Sequence, residues 1–194
     1  MTVTSARRRT ASDQVSAALL NAAETVLDRD GVAGVTVRAV AREADVAPMG
    51  VYNRFSNKDG LLTALAIRAF DELAHAIDVP DATDPIDRLR RACAGYRDFA
   101  LAHPARYALI FSTGTPAGDP ESPAHARGRE VFEGLVDMVG AVTADARGAF
   151  EAAHAVWAAV HGAVTIELSG VGQTPSAATS FDATLDLLVA GLTA

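Results

Sequence analysis

The chain of 194 residues is expected to be all-α, and three observations carry that expectation. Apolar residues recur at i, i+3, i+4 and i+7 through nearly the whole chain, the spacing of a helix with one buried stripe. No segment shows the strict apolar–polar alternation of a half-buried strand. Alanine, the strongest helix former, occurs 41 times.

The first helix reads from about Asp13 to Asp30, with Ser12 as its N-cap. Its stripe is Val15, Ala18, Leu19, Ala22, Ala23, Val26 and Leu27, and Gly31 and Gly34 end it. Thr36 caps a short second helix, Val37 to Ala44. Val46-Ala47-Pro48 makes a tight link. Pro48 opens a third short helix to about Arg54, where its missing N–H has no partner to lose. Ser56-Asn57 starts a long fourth helix striped by Leu61, Leu62, Leu65, Ala66, Ala69, Phe70, Leu73 and Ile77. After the turn from Val79 to Pro85, Asp84 caps a fifth helix, which His103-Pro104 breaks. A sixth follows to Phe111. Beyond the Gly/Pro-rich stretch Gly114 to Pro123 come a seventh to about Thr143, an eighth from about Gly148 to Ser169, and a ninth from Ala177 to Leu192.

Charge is unevenly spread. The net charge is −7, yet residues 1–60 hold eight basic and seven acidic side chains, so the acidic excess lies wholly beyond them. Such asymmetry suggests a two-part protein whose first part faces a polyanion. Sixteen arginines stand against one lysine, Lys58. No apolar run is long enough to span a bilayer and no signal-peptide core follows Arg7-Arg8-Arg9, so a cytoplasmic home is expected. A single cysteine, Cys93, leaves no internal disulfide. Neither a cofactor nor a structural metal is expected.

Two short helices joined by a tight turn and braced by a longer one describe a helix-turn-helix. Tyr52 offers a hydroxyl and Lys58 an ammonium that can reach phosphate oxygens. Tyr52 reads equally as a core aromatic with a polar handle, and Lys58 as a solvated charge. A cation at the start of a helix, however, opposes the helix dipole unless an external anion sits there. Thr36 and the start of the second helix form a further anion site. Arg7-Arg8-Arg9 reads as a disordered basic arm over 1–11, either solvated or reaching DNA.

The stretch from Thr36 to Leu62 closely resembles the DNA-binding segment of TetR-type (tetracycline-repressor-like) regulators. Thr36, Ala41, Ala44, Val46, Tyr52, Phe55, Asn57, Lys58, Asp59 and Leu61 carry the likeness. It departs at Ala47, where Ser or Thr is usual, losing a cap that is worth about 0.5–2 kcal/mol, and at Gly50 inside the third helix. The resemblance implies a nine-helix architecture: a helix-turn-helix domain over 12–58, a connecting helix over about 58–78, and a ligand-sensing and dimerisation domain over 79–194. It places Arg38, Pro48, Met49, Gly50, Asn53 and Arg54 toward the major groove. There Asn53 can read adenine, Arg38 guanine, and Met49 a thymine methyl.

In the later part, His103-Pro104 to Phe111 and Trp157 to Leu168, with His161-Gly162, resemble the Trp-His-Gly type of TetR sensor domain. Tyr96, Phe99, His103, Arg106, Tyr107, Phe111, Trp157 and His161 are candidates to line a pocket between bundle helices, although most aromatics at this spacing fill cores. His161 can serve a ligand, pair across a dimer, or be a satisfied core histidine. Ala155, Ala158, Ala159 and Gly162 on the eighth helix, with Phe181, Leu185, Leu188 and Leu192 on the ninth, suit a four-helix dimer interface, unless both stripes bury internally.

The function so implied is a ligand-responsive homodimeric regulator, a repressor that a small, largely apolar effector releases from a palindromic double-stranded DNA operator. Two rival readings differ in class. Glu72/His75 and Glu151/His154 have the spacing used by carboxylate-bridged di-metal enzymes, but Glu72 and His75 lie off their helix's apolar stripe. A helical adaptor without DNA binding does not explain the Tyr52/Lys58 pattern. No phosphate loop, Gly-x-Ser-x-Gly or Cys/His dyad is present, so no catalytic residue is expected.

Overall fold

The computed structural model describes residues 3–143 and 148–194, with side chains from residue 14 onward. Among the described residues there is no strand. The helices are α1 (Val3–Gly34), α2 (Val37–Glu43), α3 (Pro48–Phe55), α4 (Lys58–Ile77), α5 (Pro85–Ala102), α6 (Pro104–Phe111), α7 (Pro123–Gly140), α8 (Ala149–Ser169) and α9 (Ala177–Leu192). A 3₁₀ turn, Pro116–Gly118, lies between α6 and α7.

The boundaries follow local chemistry. Thr36 is extended and its hydroxyl accepts from the Ala39 amide at 3.1 Å, capping α2. Asp84 does the same for α5 through Asp87 at 2.7 Å, and Ser176 for α9 through Thr179 at 3.2 Å. α1 starts earlier than Ser12, because no proline or glycine interrupts the chain between Val3 and Asp30. The reading of Arg7-Arg8-Arg9 as a basic arm concerns side chains outside the described ones. Near its end α1 breaks at Gly31, whose φ of 68° and ψ of −178° are open to glycine alone.

The chain divides into two compact units, Met1–Ala69 with Ala105–Ala126, and Phe70–Pro104 with Arg127–Ala194. The division falls inside α4, and α6 joins the first unit.

In the first unit α1 packs on α2 and α2 on α3. Its core holds Leu19, Ala23, Val26 and Leu27 of α1, Val37, Val40 and Ala41 of α2, Val51 of α3, and Leu61, Leu62, Leu65, Ala66 and Ala69 of α4. The α1 stripe is rotated from the expected one: Val15 and Ala18 are exposed, and Ser16 is buried in their place. Phe55, an aromatic whose side chain carries no polar atom and so reads as core, is only half-buried.

In the second unit α8 packs on both α5 and α9. Arg97 of α5 makes a bidentate ion pair with Glu167 of α8 at 2.7 and 2.6 Å, and its guanidinium lies 5.6 Å over the Phe181 ring of α9. The Glu167 hydrogen bonds raise the Arg97 pKa further above its ordinary range. Cys93 is buried here, and burial pushes its thiol up to about 12, which leaves it inert as a nucleophile near neutrality.

Candidate functional site

Two left-handed residues shape the surface formed by α2 and α3. Asp45, at φ 52°, turns the chain between them. The Val46 amide then donates back to the Ala41 carbonyl at 2.9 Å. Ser56, at φ 64°, closes α3 with its amide on the Tyr52 carbonyl at 2.8 Å. Asn57 Oδ1 accepts from the Gly60 amide at 2.8 Å, which caps the first turn of α4 and sets Lys58 at its start. α3 lacks such a cap: Ala47 has no side-chain acceptor, and Pro48 fills the first helical position.

On this frame Val37, Val40, Ala41 and Val51 point inward and are buried. Thr36, Arg38, Pro48, Met49, Gly50, Tyr52, Asn53, Arg54 and Lys58 are all exposed. Tyr52 is 47% exposed, so the alternative of a core aromatic does not hold. Met49, Tyr52 and Asn53 lie at i, i+3 and i+4, on one face of α3. Sequence reasoning missed Val46 as a surface residue: a valine in a helix-turn-helix link reads as core, yet it is 42% exposed.

The electrostatics separate two kinds of cation. Arg29 pairs with Asp30 at 3.0 Å and with Glu43 at 2.9 Å. The Arg29 hydrogen bond holds the Asp30 carboxyl below the usual carboxylate range. Arg68 pairs with Glu24 at 2.9 Å, and Arg106 with Asp28 at 2.7 Å. These arginines neutralise the acids of α1. Arg38 and Lys58, by contrast, make no ion pair among the described residues, so their charge is available to an external anion.

The residues read as a pocket are drawn from both units. Arg106 is held by Asp28 and lies 3.6 Å from Glu24, which ties α6 to α1. Tyr107 is buried in the first unit, with its ring 4.8 Å from that of Phe111. The other candidates belong to the second unit. Tyr96 Oη lies 2.8 Å from His161 Nδ1, the His161 ring is 5.8 Å from Trp157, and Trp157 is 6.0 Å from Phe132 of α7. Phe132 continues to Phe150 at 5.4 Å, so aromatic rings run from buried Tyr96 out to the exposed end of α8. Phe99 is buried with His103 at 5.6 Å. An open cleft of about 500 Å³ in the same unit is lined by none of these residues; His75, Asp78, Arg88, Arg127 and Asp137 give it a polar, mixed-charge wall.

Burial lowers the His161 pKa below its ordinary 6.5. The neutral ring is therefore favoured in the folded state, and the unfolded chain takes up the proton first as pH falls. The stabilisation is complete above 6.5 and is lost as pH falls through the lower folded value. Thermal unfolding followed between pH 7.5 and 5 should accordingly show a steeper decline for the wild type than for His161→Gln.

Two residues expected at a dimer interface need correcting. Phe181 and Leu185 are 3% and 6% exposed, buried within the chain itself because α9 lays that stripe on α8. Leu188, Leu192, Ala159 and Gly162 are half-buried, and Ala155 and Ala158 are exposed. The outward face of α9 instead carries Ala183, Leu187, Ala190 and Gly191, with Leu187 77% exposed. Among the described residues no three His, Cys, Asp or Glu side chains converge as a metal ion requires, and Glu151 and His154 are exposed. No helix among them is long and apolar enough to cross a membrane.

Comparison with known proteins agrees with this geometry. Residues 19–65 match the family described as bacterial regulatory proteins, tetR family, and residues 89–188 match the tetracyclin repressor-like C-terminal domain, a description that does not name the Trp-His-Gly subtype. The HTH-type transcriptional regulator Rv0681 of Mycobacterium tuberculosis is 30% identical over 154 residues, covering 79% of this chain and 70% of that protein. Among solved structures, a protein from Rhodococcus sp. RHA1 superposes with a TM-score of 0.81 at 26% identity, covering 93% of this chain and 96% of that one. A TetR variant from Acinetobacter baumannii AYE in complex with minocycline gives a TM-score of 0.63 at 25% identity, covering 89% and 93%. The matched domains span the α2–α3 surface and most of the helices that follow α4: the chain belongs to the TetR family of bacterial transcriptional regulators.

Proposed function

We propose that this protein is a homodimeric repressor that occupies a palindromic operator in the cytoplasm and is released by a small, largely apolar effector. The observation that carries the DNA half is the joint exposure of the nine residues from Thr36 to Lys58 around a buried helix-turn-helix core. Lys58, Arg38 and Tyr52 are the phosphate-facing groups in this reading, and Asn53 the base-reading one. Thr36 Oγ1 accepts from the Ala39 amide and keeps its hydroxyl hydrogen for a phosphate. The effector half is supported by the ring series from Tyr96 to Phe150 and by the minocycline held in a related TetR structure. No catalytic step and no cofactor enter the mechanism. An effector acts only through unequal affinity for the operator-bound and released conformations.

The test is selection of duplexes from a genomic pool by the purified chain, followed by titration at several salt concentrations. Lys58→Ala should weaken binding to all selected sequences about equally and reduce the slope of log affinity against log salt by about one. A changed sequence preference with an unchanged slope would assign Lys58 another role. Asn53→Ala should relax discrimination at one base pair by about 1–3 kcal/mol. Equal discrimination at every position before and after the change would remove Asn53 from the reading set.

A further inference from the structure

From Val46 to Val51 the chain reads Val-Ala-Pro-Met-Gly-Val, and no side chain in it carries a nitrogen or oxygen. Five of these six residues are exposed, and only Val51 is buried. They form the turn and first helical residues of α3, the end by which such a helix enters a groove. Its backbone donors are largely spent or absent too. Pro48 has no N–H, the Val46 amide is bonded to Ala41, and the Gly50 amide is bonded to Ala47 at 2.9 Å. The outermost side chain is Met49, 63% exposed, with Val46 beside it at 42%. A Cβ on Gly50 would meet nothing nearer than the Val46 methyl at 3.9 Å, so packing inside the chain does not require glycine there. The tip is therefore an apolar knob next to an open notch. The flanking helices and the next turn of α3 carry the groups that would hold a polyanion: Arg38 on α2, Tyr52 on α3 and Lys58 at the start of α4, all exposed.

A water-facing apolar knob on a segment that also exposes Arg38 and Lys58 calls for an apolar partner inside a polyanion. The major groove presents one apolar group among its donors and acceptors, the C5-methyl of a pyrimidine. Building on the DNA-binding reading, we infer that the α3 tip selects its operator by van der Waals contact with pyrimidine C5-methyl groups, Met49 and Val46 supplying the contact and Gly50 the clearance. Val46 thereby becomes a specificity residue rather than a structural one. Hydrogen-bonded reading is left to the following turn, where Asn53 stands.

Thymine and 5-methylcytosine offer the same methyl, and the test separates them. Duplexes are selected by the full chain from an unmethylated random pool. Each thymine of the half-site is then replaced by uracil, which removes the methyl and leaves every hydrogen-bonding group. Loss of affinity of about fourfold, the factor that burial of one methyl is worth, is expected at one or two positions. Cytosines of the half-site are also replaced by 5-methylcytosine, and no gain is expected. Met49→Ala should remove the thymine–uracil difference at the position Met49 touches, whereas Met49→Leu should keep it. Met49 is exposed, so neither variant disturbs the fold. Uracil duplexes that all bind within twofold of the parent would overturn the inference and leave DNA binding intact, as would a uracil penalty unchanged in Met49→Ala. A gain confined to 5-methylcytosine overturns the choice of thymine. Retention of no duplex at all overturns the DNA-binding reading and this inference with it.

Discussion

Leu187→Glu is expected to give monomers that retain the helical content of the wild type and bind a palindromic operator two to four powers of ten more weakly. Leu187 faces water at 77% exposure, between the exposed small residues Ala183, Ala190 and Gly191. α8 offers a second outward stripe, with Ala155, Ala158, Gly162 and Ile166 at helical spacing. A Cβ added at Gly162 or Gly191 would meet nothing within 4 Å. Glycine inside a helix costs about 0.5–1 kcal/mol relative to alanine, and the chain's own packing does not call for it at either place. Close approach by the helices of a second copy would. In a two-fold interface each residue near the axis faces its own equivalent, so one Glu per chain sets like charges together in a drying contact. Loss of the pair removes the tether that holds the second half-site contact at an effective concentration on the order of millimolar. Light scattering and operator titration read the two effects. A dimer that persists moves the interface to another face. Leu185→Glu makes the contrast: that side chain is buried in the chain's own core, so circular dichroism should report unfolding rather than dissociation.

Gly95→Ala is expected to lower stability by about 3 kcal/mol, the upper range for overpacking. A Cβ at Gly95 would lie 2.9 Å from the Ala76 carbonyl carbon and closer still to its oxygen. Both obstacles are backbone, so no rotamer change relieves them, and α4 and α5 would have to part. For a chain of this size that corresponds to a fall in Tm of about 6–12 °C. Gly134→Ala is the control. It lies within α7, a Cβ there meets nothing within 4 Å, and the change should be neutral or stabilising by about 1 kcal/mol. Equal melting temperatures for wild type and Gly95→Ala would show that the crossing yields without cost.

What the sequence disclosed and what it concealed divide along physical lines. Caps, breakers and periodicity act within a few residues, so Thr36, Asp84, Pro48 and Pro104 mark helix starts that the structure shares. The α2–α3 surface was legible through the resemblance of Thr36 to Leu62 to TetR-type regulators, since the residues by themselves left Tyr52 open as a core aromatic and its 47% exposure decides the matter. Residues whose role depends on which helix lies opposite were not legible. Arg106 sits next to Tyr107 in sequence and looks like part of a pocket, but its guanidinium is claimed by two carboxylates on α1 nearly eighty positions earlier. Phe181 and Leu185 form a proper apolar stripe, and nothing in a stripe says whether its partner is the same chain or another copy. The start of α1 was misplaced because Ser12, a good cap, is also an acceptable interior residue when no breaker precedes it.

The attachment of α6 to α1 bears on how regulators of this kind can be recombined. The matched C-terminal domain begins at residue 89, yet residues 105–126 within it cohere with the DNA-binding unit. A chimera joined at residue 89 would bring in a foreign α6 and leave Asp28 opposite whatever replaces Arg106, while Glu24 keeps Arg68. Grafting a different C-terminal domain onto this helix-turn-helix unit therefore calls for transplanting the arginine together with its helix, or for rewriting Asp28 to suit the incoming surface.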